Sequence, residues 1–159
     1  MLVNNAGIAD RADGPPGKAS IDAVRRVFDV NFFGTLAVTQ ATLPLLRKSP
    51  SGRIVNVSSG LGSLAHNGDP SREFSEAKFL GYNGSKAALN MLTVQLAAEL
   101  RHTAIKVNSA DPGLTATDLN AHRGHQTIPE GAAAAVRLAL LPGDSPTGGF
   151  FSASNAEPW

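Results

Sequence analysis

Tyr82 and Lys86 stand four residues apart, and Ser59 lies upstream of them. A helical turn takes about 3.6 residues, so a helix over Gly81–Leu100 presents the phenol and the ammonium on one face. A cation beside a phenol favours phenolate and draws the tyrosine pKa down from its usual value of about 10. The Ser59 hydroxyl can orient and polarise a carbonyl oxygen at the same spot. Together these groups suit the interconversion of an alcohol and a ketone. A Tyr-x-x-x-Lys spacing also arises on solvated helix faces, so the elements that carry it have to decide.

Met1–Asn4 is a short apolar run that ends at Ala6-Gly7, which predicts a strand feeding a loop. Asp10–Lys18, with its glycines and paired prolines, reads as loop. Ser20 can cap the next helix, with Asp22 against the positive end of its dipole. Val24, Val27, Phe28, Phe32 and Leu36 keep helical spacing, which predicts one helix over Ser20–Leu46 with Pro44 kinking it or ending it early. Ile54–Val57 is a buried type of strand. Gly60–Gly81 is polar and irregular, a long insertion of the kind that forms lids. Leu89, Leu92, Leu96 and Leu100 stripe a helix over Tyr82–Arg101. Ile105–Ser109 predicts a strand broken at Asp111-Pro112-Gly113, Pro129–Leu141 an alanine-rich helix, and Gly148–Ser154 a last strand. Strands that alternate with helices mean an α/β parallel sheet.

Bulk properties narrow the function classes. The chain has 159 residues, single-domain size, a net charge of +1 and 17% charged residues. No basic footprint for nucleic acid or membrane surface stands out. With no cysteine, disulfides and thiolate chemistry are excluded. The N-terminus shows no signal-peptide pattern, and no apolar run is long enough to cross a bilayer. The default expectation is a cytoplasmic protein. His122 and His125 could share a helix face as metal ligands, but no third ligand is near in sequence, so no metal is expected. Arg25-Arg26 and Arg47-Lys48 read as solvated helix surface. Phe74 and Phe79 hint at a partly apolar pocket.

The blocks around the pair are more specific. Leu2-Val3-Asn4-Asn5-Ala6-Gly7, Val30-Asn31-Phe32-Phe33-Gly34, Gly52-Arg53-Ile54-Val55-Asn56-Val57-Ser58-Ser59, Tyr82-Asn83-Gly84-Ser85-Lys86-Ala87-Ala88 and Asp111-Pro112-Gly113-Leu114-Thr115-Ala116-Thr117-Asp118 follow in this order. In that order they resemble the short-chain dehydrogenase/reductase family, in particular its carbonyl-reductase-like members. The resemblance implies a Rossmann-type doubly wound parallel sheet that lacks the first βαβαβ portion. Residues 1–159 would form a single domain, the C-terminal two-thirds of that fold. It implies Tyr82 as general acid for ketone reduction and base for alcohol oxidation. Lys86 would lower the tyrosine pKa and hydrogen-bond the nicotinamide ribose. Ser59, as the second serine of its pair, would bind the substrate oxygen, and Asn31 would hold a water that relays protons to Lys86. Asn5, Ala6 and Gly7 would approach the adenosine part of the cofactor. Pro112, Gly113, Thr115 and Thr117 would receive the nicotinamide carboxamide. NADP is implied by subgroup, with NAD as the alternative, and the substrate is a small carbonyl or alcohol compound. The two long helices, Ser20–Leu46 and Tyr82–Arg101, would make a homodimer contact.

Two features depart from that pattern. The Ser59–Tyr82 interval is 23 residues, longer than is common, and Gly84 replaces a more usual alanine. The Gly-x-Gly-x-x-Gly turn that receives a dinucleotide diphosphate has no match: Gly60-Leu61-Gly62 is followed by Ala65 and no clear helix. The competing expectation is therefore a truncated, inactive fragment that cannot hold the dinucleotide, with an apolar open edge on its first strand.

Overall fold

Four parallel strands form one sheet in the order β1-β2-β3-β4: β1 is Leu2–Asn4, β2 Arg53–Val57, β3 Lys106–Ala110 and β4 Phe150–Phe151. The structure, a computed structural model, describes residues 1–72 and 75–159. Phe74, one of the two aromatic residues expected near a pocket, lies outside the described residues. Parallel neighbours need a crossover, and each is helical. Helices α1 (Ile21–Phe28) and α2 (Thr35–Leu46) join β1 to β2, α3 (Leu64–Gly68) and α4 (Leu80–Glu99) join β2 to β3, and α5 (Ile128–Ala139) joins β3 to β4.

Strand side chains alternate between faces, and the two faces bury different cores. Ile54 and Val107 pack with Leu96, Ala97 and Leu100 of α4 and Leu46 of α2. Val55 and Ala110 point the other way, onto Ala134, Leu138 and Ala139 of α5. Helices on both faces of a parallel sheet make this a doubly wound α/β fold of Rossmann type. The buried Arg53 sits where β2 starts, and its guanidinium donates to the carbonyl of Leu141 at 2.9 and 2.6 Å and to that of Gly52 at 2.7 Å.

The expected single helix over Ser20–Leu46 is instead α1, a π-helical turn over Asp29–Gly34, and α2. Ala23, Val27, Asn31, Thr35 and Thr39 are all buried and recur every four residues. Four residues overshoot an α-helical turn by about 40° per step. A wider π turn absorbs that overshoot, so the row stays on the inner face. Pro44 does not end the helix, which continues to Leu46. The Gly60–Gly81 region also holds more structure than expected: a 3₁₀ turn over Gly60–Gly62, the short α3, and the first turn of α4.

A buried polar chain crosses the α2/α4 face of the sheet. Asn4 Nδ2 donates to Thr39 Oγ1 at 3.0 Å and to Asn56 Oδ1 at 2.8 Å. Asn56 Nδ2 donates to Thr93 Oγ1 at 2.8 Å, and Thr93 shares a 2.8 Å contact with the Ser109 hydroxyl. Amides this deep are tolerated because each has partners. Three strands and two helices are thereby fixed in register. Asn56→Ala leaves polar partners unmatched and is expected to lower stability by about 1–3 kcal/mol in urea unfolding.

Candidate active site

The carboxyl ends of β2 and β3 and the first turns of α4 converge on one region. Ser58 and Ser59 follow β2. The Ser58 amide bonds the carbonyl of Ala110 at 2.8 Å, and its buried hydroxyl points to the Lys86 carbonyl at 3.4 Å. Ser59 turns the other way, as strand alternation requires. It is half-buried, its Oγ accepts the Leu61 amide at 3.2 Å, and it faces the Tyr82 phenol.

Tyr82 and Lys86 rise one helical turn apart on α4, with the ammonium 5.7 Å from the centre of the phenol ring. The Lys86 ammonium donates to the Val57 carbonyl at 2.8 Å. Lys86 is 4% exposed, and burial pulls its pKa down to about 8. The sequence reading has Lys86 drawing the Tyr82 pKa down. The structure assigns a different balance. Burial pushes the phenol up, Ser59 opposes that through hydrogen bonding, and the Asp111 carboxylate adds to the rise. The phenol is therefore held neutral, the form that donates a proton.

Asn31 is fully buried beneath this pair. Its Oδ1 accepts the Ile8 amide at 2.8 Å, while its Nδ2 donates to the Ile8 carbonyl at 3.0 Å and to Ser85 Oγ at 3.0 Å. It thus ties the loop after β1 to α4. Gly7 in that loop is in the same cluster: a Cβ there would meet Lys86 Nζ at 3.4 Å and Asn31 Oδ1 at 3.5 Å. Gly62 lets the 3₁₀ turn lie against α4, since a Cβ would come within 2.8 Å of the Lys86 backbone carbonyl carbon.

The turn after β3 forms a separate wall. Gly113 takes a φ of +64°, the left-handed region that glycine adopts freely. Thr115 Oγ1 donates to the Pro112 carbonyl at 3.0 Å, so this hydroxyl braces the turn while its lone pairs stay available. The Thr117 amide donates to Asn120 Oδ1 at 3.3 Å. Asp118–Asn120 is a single 3₁₀ turn, and Ala121 and His122 both have positive φ, so His122 and His125 share no helix face. His122 instead meets Asp118 at 2.9 Å.

Two acidic residues matter here that the sequence reading passed over. Asp13, in the loop read only as Asp10–Lys18, caps α4 from a distance. Its carboxylate accepts the amides of Gly81 at 2.9 Å and Tyr82 at 2.8 Å, where Phe79 offers no cap. An Asp at a distant loop position carries no local capping signal. The other is Asp111, whose carboxylate accepts the Gly113 amide at 3.0 Å and adds to the rise of the Tyr82 pKa.

These residues fit the nicotinamide riboside half of a dinucleotide. Lys86 has three donors and, among the described residues, one protein acceptor and no carboxylate partner, which suits ribose hydroxyls beside it. Gly7 keeps that approach open. Among the described residues the diphosphate half finds no such fit: Gly60–Gly62 is a 3₁₀ turn that packs on α4 and starts no long helix.

Comparison with known proteins agrees with this geometry. A family model described as short chain dehydrogenase matches residues 1–127. Short-chain dehydrogenase/reductase 1 of Saponaria officinalis is 34% identical over all of this chain and 69% of its own length. Short-chain dehydrogenase anuI of Penicillium roqueforti is 39% identical over 87% of this chain and 56% of its own. Among solved structures, the carbonyl reductase Sniffer of D. melanogaster superposes with a TM-score of 0.84 at 27% identity, covering 99% of this chain and 66% of that one. The NADPH-bound carbonyl reductase from chicken fatty liver gives 0.78 at 27% identity, covering 99% and 65%. The chain belongs to the short-chain dehydrogenase/reductase family and spans between about half and seven-tenths of the length of such relatives.

Two outcomes follow from this geometry. Asp13→Ala should lower stability by about 0.5–2 kcal/mol, the usual cost of a lost cap, read by urea unfolding. Lys86 gives a pH signature. Its folded pKa of about 8 lies below its unfolded value near 10.5, so the unfolded chain binds the extra proton between them. Stability contributed at this site is lowest below pH 8 and rises as pH climbs toward 10.5. Unfolding curves should show wild type gaining on Lys86→Met across that window.

Proposed function

We propose that this chain supplies the proton-handling and substrate side of a nicotinamide-dependent reductase or dehydrogenase acting on a small carbonyl or alcohol compound. The observation that carries the reading is the neutral, half-buried Tyr82 phenol set near the Ser59 hydroxyl and the Lys86 ammonium. A bound dinucleotide would supply the hydride. Ser59 holds the substrate oxygen, and Tyr82 gives that oxygen its proton or takes it back in oxidation. Lys86 stabilises the phenolate left behind. Asn31 positions the loop around Gly7 and, through Ser85, the helix that carries Lys86.

The remaining assignments belong to the same reading. Asn5, Ala6 and Gly7 line the approach to the dinucleotide, and Pro112, Gly113, Thr115 and Thr117 form the wall that meets the nicotinamide amide. NADP is preferred over NAD, in keeping with the NADPH-bound chicken enzyme. Residues 1–159 act as one folding unit in the cytoplasm, with no helix among the described residues long and apolar enough to cross a membrane. A groove of ≈ 390 Å³ between α2 and α4, lined by Leu36, Leu43, Leu92 and Leu96, is where a second copy would pack.

A second reading is favoured by one feature: no glycine-rich phosphate turn occurs in the sequence. On that reading residues 1–159 keep the proton-transfer groups but do not retain a dinucleotide. Fluorescence titration with NADPH and NADH separates the two, since saturable binding supports the first and none supports the second. With binding in hand, Tyr82→Phe should cut turnover by about 10²–10⁴-fold and leave the dinucleotide Kd nearly unchanged. Retained turnover would remove Tyr82 from the proton-donor role.

A further inference from the structure

Asp111 is the residue at this site that the proton-transfer chemistry does not use. It follows β3, directly before Pro112, and the backbone turns its carboxylate back toward β2. Oδ1 accepts the Gly113 amide at 3.0 Å. Oδ2 lies against Gly60, the residue after Ser59: a Cβ on Gly60 would sit 3.0 Å from it. The charge is close enough to Tyr82 to raise the phenol pKa.

Among the described residues this carboxylate has no dedicated counter-charge. Among the described residues the only basic group acting on it is His66, whose Nδ1 lies 3.8 Å from the same Gly60 position. The His66 ring is drawn to another acid, with Nε2 3.6 Å from Glu157 Oε2. Burial pushes the Asp111 pKa up, and Glu157, a second negative charge on this wall, adds to that rise. The Lys86 ammonium is bonded to the Val57 carbonyl instead. Two backbone amides occupy part of the carboxylate's capacity, and its remaining lone pairs are open.

Ionised, Asp111 beside Tyr82 opposes reduction of a neutral ketone, because hydride arrival builds negative charge on the substrate oxygen. A positive charge on the substrate reverses that penalty. It would also meet a hydrogen-bonded anion in a site of low polarisability, where charge-assisted contacts are strongest. On the reductase reading above, we infer that Asp111 selects carbonyl compounds bearing a protonated amine a few bonds from the carbonyl, with the ammonium on the Asp111 wall and the oxygen on Tyr82 and Ser59.

The test uses two near-isosteric aryl ketones, 3-(dimethylamino)propiophenone, protonated at neutral pH, and its carbon analogue 4-methyl-1-phenylpentan-1-one. Wild-type chain with saturating NADPH at pH 7 should favour the amine in kcat/KM by about tenfold or more, as one charge-assisted contact implies. Asp111→Asn should bring that ratio close to one, and raised salt should narrow it in wild type. A wild-type ratio near one, or a ratio that Asp111→Asn leaves intact, overturns the assignment. If Asp111→Asn does not fold, the wild-type ratio and its salt dependence decide alone. If neither ketone turns over, the reductase reading fails, and saturation-transfer NMR of the two ketones decides on Asp111: preferential binding of the amine supports it, and equal binding overturns it.

Discussion

The hydrogen bond from Asn56 to Thr93 sets the distance on which the site depends. Asn56 is the penultimate residue of β2, and Thr93 lies two turns beyond Lys86 on α4. One residue further along β2, the Val57 carbonyl takes the Lys86 ammonium. Two more residues bring the chain to Ser59. Strand and helix are thus pinned twice within a few residues, side chain to side chain and then carbonyl to ammonium. The separation of the serine hydroxyl from the phenol follows from those two contacts. Asn4, Thr39 and Ser109 extend the same chain outward, so a slip of any strand would break several buried bonds at once.

Around that anchor the site is assembled from backbone that side chains elsewhere hold in place. Asn31 fixes the loop after β1, Asp13 holds the first amides of α4, and Gly62 admits the 3₁₀ turn against Lys86. The result is a buried lysine with no carboxylate partner among the described residues and a half-buried tyrosine kept neutral. The buried lysine costs stability in a protein that needed only to fold, and perturbed titrating groups gathered in this way mark a candidate functional site. Near Asp111 lie a second carboxylate, Glu157, and His66.

Much of this was legible from residue order. The alternation of strands and helices placed every strand to within a few residues, because buried strands and amphipathic helices leave different periods. Tyr82, Lys86 and Ser59 stood out by type and spacing. The π turn did not, since a row of inward residues every four positions looks like an ordinary helix until its drift is measured against the sheet. Nor did the short α3, which is too brief for a period to emerge.

The sequence by itself determined the chemistry on offer: a phenol, an amine and a hydroxyl on elements that alternate as an α/β sheet must, within the short-chain dehydrogenase/reductase family. Tertiary structure alone decided the charge states. Whether Tyr82 is pushed up or drawn down depends on how deeply it is buried and on which neighbour is nearer, Ser59 or Asp111. Those neighbours come from β2 and β3, and pKa responds to distance through space rather than along the chain. Asp13 as a helix cap and Asp111 as a site wall are decided the same way, since both act on residues dozens of positions away.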